Sequence, residues 1–136
     1  MLTKTKLFIF RLDSQIPFFC GDFVFCRILG HEKAVEKAKE NIEKSFLVVG
    51  TLEEMDKTIM VMECIMPEYM KGLVDMNQQT DIHKHSKHHK VIPLSSKARE
   101  VMKARLSKEY ELYEFVKNKL EKQYRECKRL RGDILF

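Results

Sequence analysis

The sequence has no long apolar run, and this absence excludes a membrane-spanning segment. Its N-terminal apolar block, Leu7 to Phe10, is bounded by Lys6 and Arg11, whereas a spanning helix needs ~20 apolar residues. The block is also too short for a secretory signal peptide, and no small-residue cleavage site follows it. We expect no membrane contact within this chain, so any secretory signal or membrane anchor of a parent protein would lie outside it.

The glycines are few and scattered, and this spacing bears on phosphate binding. A loop that cradles phosphate needs clustered glycines followed by Lys and Ser or Thr. The five glycines here are isolated from one another, at Gly21, Gly30, Gly50, Gly72 and Gly132. The chain therefore has no phosphate cradle of its own. It also lacks internal repeats, so we treat its 136 residues as one unit.

The composition is that of a folded chain, with 44% hydrophobic and 33% charged residues, so some core must be buried. Lys and Arg number 25 against 20 Asp and Glu, for a net charge of +5. This modest excess favours a polyanionic partner. Charge alone leaves nucleic acid, sulfated glycan and acidic lipid open.

The four cysteines lack the spacing of a zinc ribbon or of a dense disulfide scaffold. Cys20 and Cys26 enclose the loop CGDFVFC, so a local disulfide and two reduced thiols both fit. Cys64 lies in an apolar helical pattern and Cys127 on a basic helix. We interpret these two as packing residues.

The N-terminal third predicts three segments. TKLFIFRL is rich in β-forming residues and predicts a strand, and the aromatic, turn-rich stretch 14–30 predicts a packed loop without regular structure. Residues 31–44 predict an amphipathic helix. Its apolar face is Ala34, Val35, Ala38 and Ile42.

A strand, a turn and a capped helix are predicted next. Phe46 to Val49 is a short apolar run ending at Gly50, typical of a strand buried on both faces of a parallel sheet. Thr51 and Glu54 have the spacing of a capping box. The predicted helix face is Leu52, Met55, Ile59, Met62 and Ile65. We expect this helix to end before Pro67 and a short one to begin there, with Tyr69, Met70 and Leu73 packing.

Residues 76–92 have no hydrophobic period and predict a mobile polar loop. Ser95 or Ser96 then caps a helical region that reaches about Leu130, with a break near Ser107. Its apolar stripe is Met102, Leu106, Tyr110, Tyr113, Val116, Leu120, Tyr124 and Cys127. We prefer a core role for these tyrosines over base stacking.

The polar loop contains HKHSKHHK, and two ligand classes are considered for it. Its histidines, His83, His85, His88 and His89, are of the type that binds divalent metals. Lys84, Lys87 and Lys90 would repel a cation, however, and no acidic residue or cysteine completes a shell, so we expect no metal. The same lysines suit phosphate or sulfate oxygens. An anion-contact loop is our interpretation, and a merely solvated basic loop is the alternative.

Basic residues also crowd the C-terminal helix: Lys117, Lys119, Lys122, Arg125, Lys128, Arg129 and Arg131. They complement the negative end of the helix dipole and would also suit a glycan or nucleic acid. The dipole explains them more simply. His31 stands alone before a helix, so we interpret it as a surface or capping residue rather than a general base.

A family resemblance runs through ordered motifs. These are QIPFFCG at 15–21, Cys26, AKENIEKSFLVVGTLEEM at 38–55, MECIMPEYMKG at 62–72, KVIPLS at 90–95 and EYELYEFVKNKL at 109–120. Together they resemble the glycosaminoglycan 2-O-sulfotransferases, somewhat more the uronyl and Pipe-like members than the heparan sulfate enzyme. The resemblance covers about residues 14 to 127.

The resemblance implies a fold and an activity. Residues 1–136 would be the C-terminal fragment of an α/β, P-loop-like sulfotransferase fold, mostly helical with one or two strands. Such enzymes transfer sulfate from 3'-phosphoadenosine 5'-phosphosulfate to the 2-hydroxyl of a uronic acid in heparan, dermatan or chondroitin sulfate. They are single-pass type II membrane proteins of the Golgi lumen and are often trimers. A glycosaminoglycan rather than nucleic acid is the implied partner.

Few functional residues carry over, because the phosphosulfate loop and the histidine base of the family precede the matched region. The fragment alone is expected to be inactive. Cys20 and Cys26 match a family disulfide. Lys90, by its distance to Pro93, matches a basic residue of the loop that covers the nucleotide, and Lys87 matches less securely. Lys84 and His85 are the candidates for the glycan. The alternative function is a non-enzymatic module that binds polyanions.

Overall fold

A computed structural model describes residues 14–79, 93 and 95–133. Its α-helices are α1 (Gln15–Cys20), α2 (Glu32–Ser45), α3 (Met55–Ile65), α4 (Pro67–Met70), α5 (Leu73–Gln79), α6 (Ser96–Arg105) and α7 (Ser107–Asp133). Two 3₁₀ turns, Val24–Arg27 and Leu52–Glu54, lie between them. No helix within these ranges is long and apolar enough to cross a membrane.

Helix α7 is the wall against which α1, α2 and α3 pack. Along its first half, α1 and α2 enclose one core, formed by Ile16, Cys20, Cys26, Ala34, Val35, Ala38, Ile42, Leu112 and Val116. Along its second half, α3 packs on α7, where Val61, Leu120 and Cys127 are buried. Two small cores thus share one long helix.

Several predicted helical features are confirmed. The predicted face of α2 is buried as expected. Ser95 caps α6, since its hydroxyl accepts from the Ala98 amide. The expected break near Ser107 lies at Leu106, between α6 and α7. Helix α3 ends at Ile65, and α4 begins at Pro67. Proline therefore sets this boundary as predicted.

Two predictions of local structure need correction. The stretch 14–30 is not an irregular loop, because α1 and a 3₁₀ turn occupy it. Residues 76–79 of the predicted polar loop belong to α5, which continues to Gln79, and residues 80–92 lie outside the described ranges. The strand predicted for TKLFIFRL also lies outside them. Four side chains predicted to pack are exposed: Leu52, Ile65, Tyr69 and Tyr110.

The expectation of a mostly helical unit is confirmed, but the one or two strands expected with it do not occur among the described residues. Phe46 to Val49 was expected to form one. The backbone is extended at Phe46, with φ −115° and ψ 117°, but a strand also needs a neighbour to complete its ladder. The sequence therefore predicted the extended backbone at Phe46, and the described residues offer no pairing partner.

The predicted capping box is wrong as well. Leu52–Glu54 form a 3₁₀ turn, so α3 starts at Met55 and Thr51 does not occupy its N-cap. The amide of Glu54 donates to the backbone carbonyl of Thr51 at 3.2 Å. The Thr51 hydroxyl accepts no capping bond.

Two disulfides join the elements. Cys20 and Cys26, with Cα atoms 5.7 Å apart, link α1 to the first 3₁₀ turn. Cys64 and Cys127 link α3 to α7 across a sequence separation of 63 residues. This second bond corrects the interpretation of those two cysteines as packing residues. Both lie on inward helix faces, and the contact of α3 with α7 brings those faces together.

Lys119 ties the end of α2 to α7. Its side chain is only 12% exposed, and its ammonium donates to the carbonyl of Ile42 at 2.9 Å and, more distantly, to that of Phe46 at 3.5 Å. The last carbonyls of a helix have no partner within the helix. Lys119 therefore serves as a C-terminal cap supplied by another helix.

An ion-pair network joins the same two helices near their other ends. Glu111 of α7 accepts from Lys39 of α2 at 2.5 Å and from Lys108 at 2.9 Å. Lys108 also pairs with Glu32. The hydrogen bonds from Lys39 and then Lys108 lower the pKa of Glu111 below its ordinary value. The carboxylate form is therefore favoured in the folded chain.

The long-range disulfide should contribute more stability than the short one. In the chain-entropy model, loops of 63 and 6 residues correspond to about 4 and about 2 kcal/mol. We expect Cys64→Ala with Cys127→Ala to lower the free energy of unfolding in urea more than Cys20→Ala with Cys26→Ala. The reverse order would contradict this account.

Lys119→Met keeps the aliphatic stem and removes the ammonium, leaving carbonyls at the end of α2 without their donor. We expect the free energy of unfolding to fall by about 1 to 3 kcal/mol. The control is Lys122→Met on the exposed side of α7, which should change it by less than about 0.5 kcal/mol. Equal effects in urea titrations would show that the cap is unimportant.

Glu111→Gln should destabilise the protein in a pH-dependent way. A carboxyl whose folded pKa is depressed contributes stability above its ordinary value of 4.5, and loses it as pH falls through the folded pKa. Denaturation midpoints of wild type and variant should differ at about pH 7 and converge at about pH 2. A difference that persists undiminished in acid would argue for a packing effect instead.

Candidate functional site

The motif FLVVGTLEE places a segment without helix, residues 46–51, on the surface of the helical unit, and we call it the extended segment after the backbone angles at its two ends. Backbone angles are extended at both ends, with φ −115° at Phe46 and φ −115° at Thr51. Gln123 of α7 donates to the carbonyl of Leu47 at 2.8 Å. The ring of Phe46 lies edge-on to that of Phe19 on α1, with centroids 5.2 Å apart. Polar and aromatic contacts thus hold the start of the segment.

The middle of this segment has open backbone groups. Within the described residues, no backbone-to-backbone hydrogen bond joins residues 47–50 to another segment. Leu47 is 64% exposed and Leu52 is 80% exposed. Extended backbone with free ladder groups and exposed apolar side chains is a template for strand pairing. The segment therefore has the features of a strand that lacks its neighbour.

Gly50 fixes how closely this segment approaches α3. A Cβ atom built at Gly50 would lie 2.1 Å from the hydroxyl oxygen of Thr58. Thr58 in turn donates to the carbonyl of Glu54 at 3.0 Å. Only glycine permits this close approach, which explains why the apolar run ends with this residue.

A cavity of about 360 Å³ opens between α1, the extended segment and α7. Its apolar wall includes Phe19, Val49, Leu112 and Val116, and its polar rim includes Glu53, Glu109 and Tyr113. Thr51 also lines it, and the hydroxyl of this residue is buried without a hydrogen-bond partner. A buried unpaired hydroxyl costs about 1 to 3 kcal/mol. The packing around the cavity is therefore incomplete.

Glu109 positions α1 at the cavity mouth. Its carboxylate accepts from the backbone amides of Gln15 at 3.0 Å and Ile16 at 3.3 Å, and from the Ser14 hydroxyl. These amides are the first donors of α1, which have no partner inside the helix. A carboxylate there also complements the positive end of the dipole. These contacts with the start of α1 explain the position of Glu109.

The residues predicted to contact nucleotide and glycan lie outside the described ranges: Lys84, His85, Lys87 and Lys90. The helix before them is well anchored. The Val74 amide of α5 donates to Glu63 of α3 at 2.8 Å, and Asn77 donates to Asp56 at 2.9 Å. No group of three metal-ligating side chains occurs among the described residues.

Several basic residues of α7 have structural partners. Beside Lys119, Arg125 pairs with Glu121 at 2.8 Å, and Arg131 pairs with Glu63 at 3.4 Å. Lys128 lies over the ring of Tyr124, with 4.9 Å to its centroid. These basic residues of α7 therefore make more contacts within the protein than the sequence analysis predicted.

Sequence reasoning missed three features of this region. The Cys64–Cys127 disulfide had a weak signal, since an even cysteine count permits full pairing. The capping role of Lys119 had none, because its carbonyl partners are 73 to 77 positions away in sequence. The unpaired Thr51 hydroxyl was hidden by a capping motif that the backbone does not adopt.

Comparison with known proteins finds relatives that are named uronyl 2-sulfotransferase or heparan sulfate 2-O-sulfotransferase. The chain is 36% identical to human uronyl 2-sulfotransferase over 111 residues, which are 79% of this chain and 27% of that protein. It is 40% identical over 58 residues to a Caenorhabditis elegans heparan sulfate 2-O-sulfotransferase, covering 43% of this chain and 18% of that protein.

A mouse heparan sulfate 2-O-sulfotransferase is 36% identical over 66 residues, 48% of this chain and 18% of that protein. No protein-family model matches the chain. The chain thus spans 27% or less of the length of these relatives. On these similarities, the chain belongs to the family of uronyl and heparan sulfate 2-O-sulfotransferases.

Proposed function

We propose that this chain is the C-terminal part of an enzyme that transfers sulfate to the 2-hydroxyl of a uronic acid in heparan, dermatan or chondroitin sulfate. The donor would be 3'-phosphoadenosine 5'-phosphosulfate. The similarity to uronyl 2-sulfotransferase over 111 residues supports the reaction class. Its partial coverage of that relative supports the assignment as one part of the enzyme.

The observation that carries this proposal is the unpaired extended segment, residues 46–51. In an α/β sulfotransferase fold, a neighbouring strand would satisfy the backbone groups that are open here. The same neighbour would cover Leu47 and Leu52 and fill the cavity beneath Thr51. One missing layer thus accounts for the open ladder, the exposed apolar side chains and the buried unpaired hydroxyl.

The chain would contribute donor and acceptor contacts rather than the reacting groups. Lys90 and Lys87 would neutralise phosphate oxygens of the nucleotide, and Lys84 and His85 would contact the glycan. The donor supplies the activated sulfate, and a histidine base outside this chain would accept the hydroxyl proton. Because the chain has no glycine-rich cradle, it would be inactive alone.

The cysteine chemistry is compatible with a lumenal location. All four cysteines are paired, and such bonds persist in oxidising compartments. We propose a Golgi lumenal domain of a single-pass type II membrane protein. The partner would be a glycosaminoglycan rather than nucleic acid, and the parent enzyme would be a homotrimer.

A chimeric enzyme tests the proposal. This chain would replace the aligned C-terminal segment of human uronyl 2-sulfotransferase, and transfer of labelled sulfate to desulfated dermatan or heparin would be measured. We expect transfer by the chimera. The human protein truncated before the segment and the isolated 136-residue chain should both be inactive, because neither holds a complete site.

Turnover by the isolated chain, or a folded chimera without activity, would contradict the proposal. Folding would be judged by secretion and by helical circular dichroism. An inactive chimera combined with tight heparin binding by the isolated chain would favour the alternative, a polyanion-binding module without enzymatic activity.

A further inference from the structure

Helix α6 carries a group of cations that the fold does not use. Its ten residues include Lys97, Arg99, Lys103 and Arg105, against one acid, Glu100. All four basic side chains are exposed. Within the described ranges, none of them takes part in an ion pair, whereas the neighbouring Lys108 pairs with both Glu32 and Glu111. The positive charge of α6 is therefore available to a partner.

Helix electrostatics explains only half of this group. Lys103 and Arg105 lie in the last turn, where cations complement the negative end of the dipole. Lys97 and Arg99 lie near the opposite end, and the first turn contains no acid. Cations there are mildly unfavourable, so their presence has no explanation within the helix itself.

The arrangement on the helix gives an extended contact surface. Ala98, Met102 and Leu106 are the partly buried residues and follow one another at four-residue intervals, so they form the inner face. Arg99 and Lys103 run along one flank of this face, and Lys97 and Arg105 lie on the other. Ten residues of helix span about 15 Å, which is enough to meet several anionic groups along one chain.

We propose that α6 binds the sulfated glycan, as a contact surface additional to the basic loop, and this inference rests on the proposed function. A sulfated glycan is bound through cations and does not require aromatic side chains for base stacking. Proteins that bind single-stranded nucleic acid combine cations with aromatic side chains on which bases stack. Helix α6, SKAREVMKAR, contains no aromatic residue, so its chemistry fits sulfates and carboxylates better than bases.

A charge-matched pair of variants tests this surface. The test variant is K97Q/R99Q/K103Q/R105Q. The control is K33Q/K71Q/K117Q/K122Q, which removes four cations that likewise have no ion pair among the described residues. Each variant changes the net charge from +5 by four, and Gln preserves helix propensity. Circular dichroism and thermal melting should match the wild type in both cases.

Binding of the full chain to heparin would be measured between about 0.05 and 0.3 M NaCl. Each cation engaged with a single-stranded polyanion contributes roughly 0.7 to the slope of log affinity against log salt. We expect the slope of the α6 variant to fall by about 3, and the control variant to stay close to wild type. Affinity near physiological salt should fall roughly tenfold or more in the α6 variant alone.

Three outcomes would overturn the inference. Equal losses in both variants would mean that heparin senses net charge only. An α6 variant that binds like wild type would place the contacts elsewhere. Binding of single-stranded DNA that is tighter than heparin binding, and equally dependent on α6, would identify a different ligand class.

The chimera separates this inference from the proposed function. If both hold, the four α6 substitutions should raise the KM for the glycan acceptor and leave the KM for the sulfate donor unchanged. A chimera that transfers sulfate with the same acceptor KM in wild-type and α6-variant form overturns the inference alone. An inactive chimera, with α6-dependent heparin binding intact, overturns the proposed function alone.

Discussion

The protein depends on α7, a single helix of 27 residues that forms a wall of both small cores. Each core combines residues of α7 with residues of the helices that pack on it. The apolar residues Leu112, Val116 and Leu120 face inward at four-residue intervals, while Lys119 and Gln123 reach the chain that leaves α2. The conformation of the extended segment therefore follows from the placement of α7.

Several local features were predicted correctly where the partner of a residue is close in sequence. The periodicity of α2, the serine cap of α6 and the boundary at Pro67 all depend on neighbours within about one helical turn. Phe46 to Val49 shows the limit of this reasoning. Its apolar run indicated extended backbone, which is found at Phe46, but strand formation depends on a second segment that the described residues do not provide.

The site was less predictable than the fold because its contacts join residues distant in sequence, and because the predicted binding residues lie outside the described ranges. The pairing of Cys64 with Cys127 requires the contact of α3 with α7, which no local pattern reports. Thr51 shows the opposite error. Thr51 and Glu54 have the spacing of a capping box, but the backbone forms a 3₁₀ turn at Leu52–Glu54 instead. The family resemblance supplied what periodicity could not, namely the reaction class.

Charges of one sign serve two purposes in this molecule. On α7, several lysines and arginines neutralise nearby carboxylates or cap a helix, so their removal would be felt as lost stability. On α6, the same residue types face solvent and have no such partners among the residues that the structure describes. Counting basic residues along the sequence cannot separate these groups, because the difference lies in what each side chain touches in three dimensions.

The Cys64–Cys127 bond has a further consequence for the integrity of the chain. It closes a covalent ring that contains α4, α5, α6 and most of α7. A protease that cuts one peptide bond inside this ring produces two polypeptides that remain attached through sulfur. The nicked molecule would keep its full mass on a non-reducing gel and separate into two pieces only after a thiol is added.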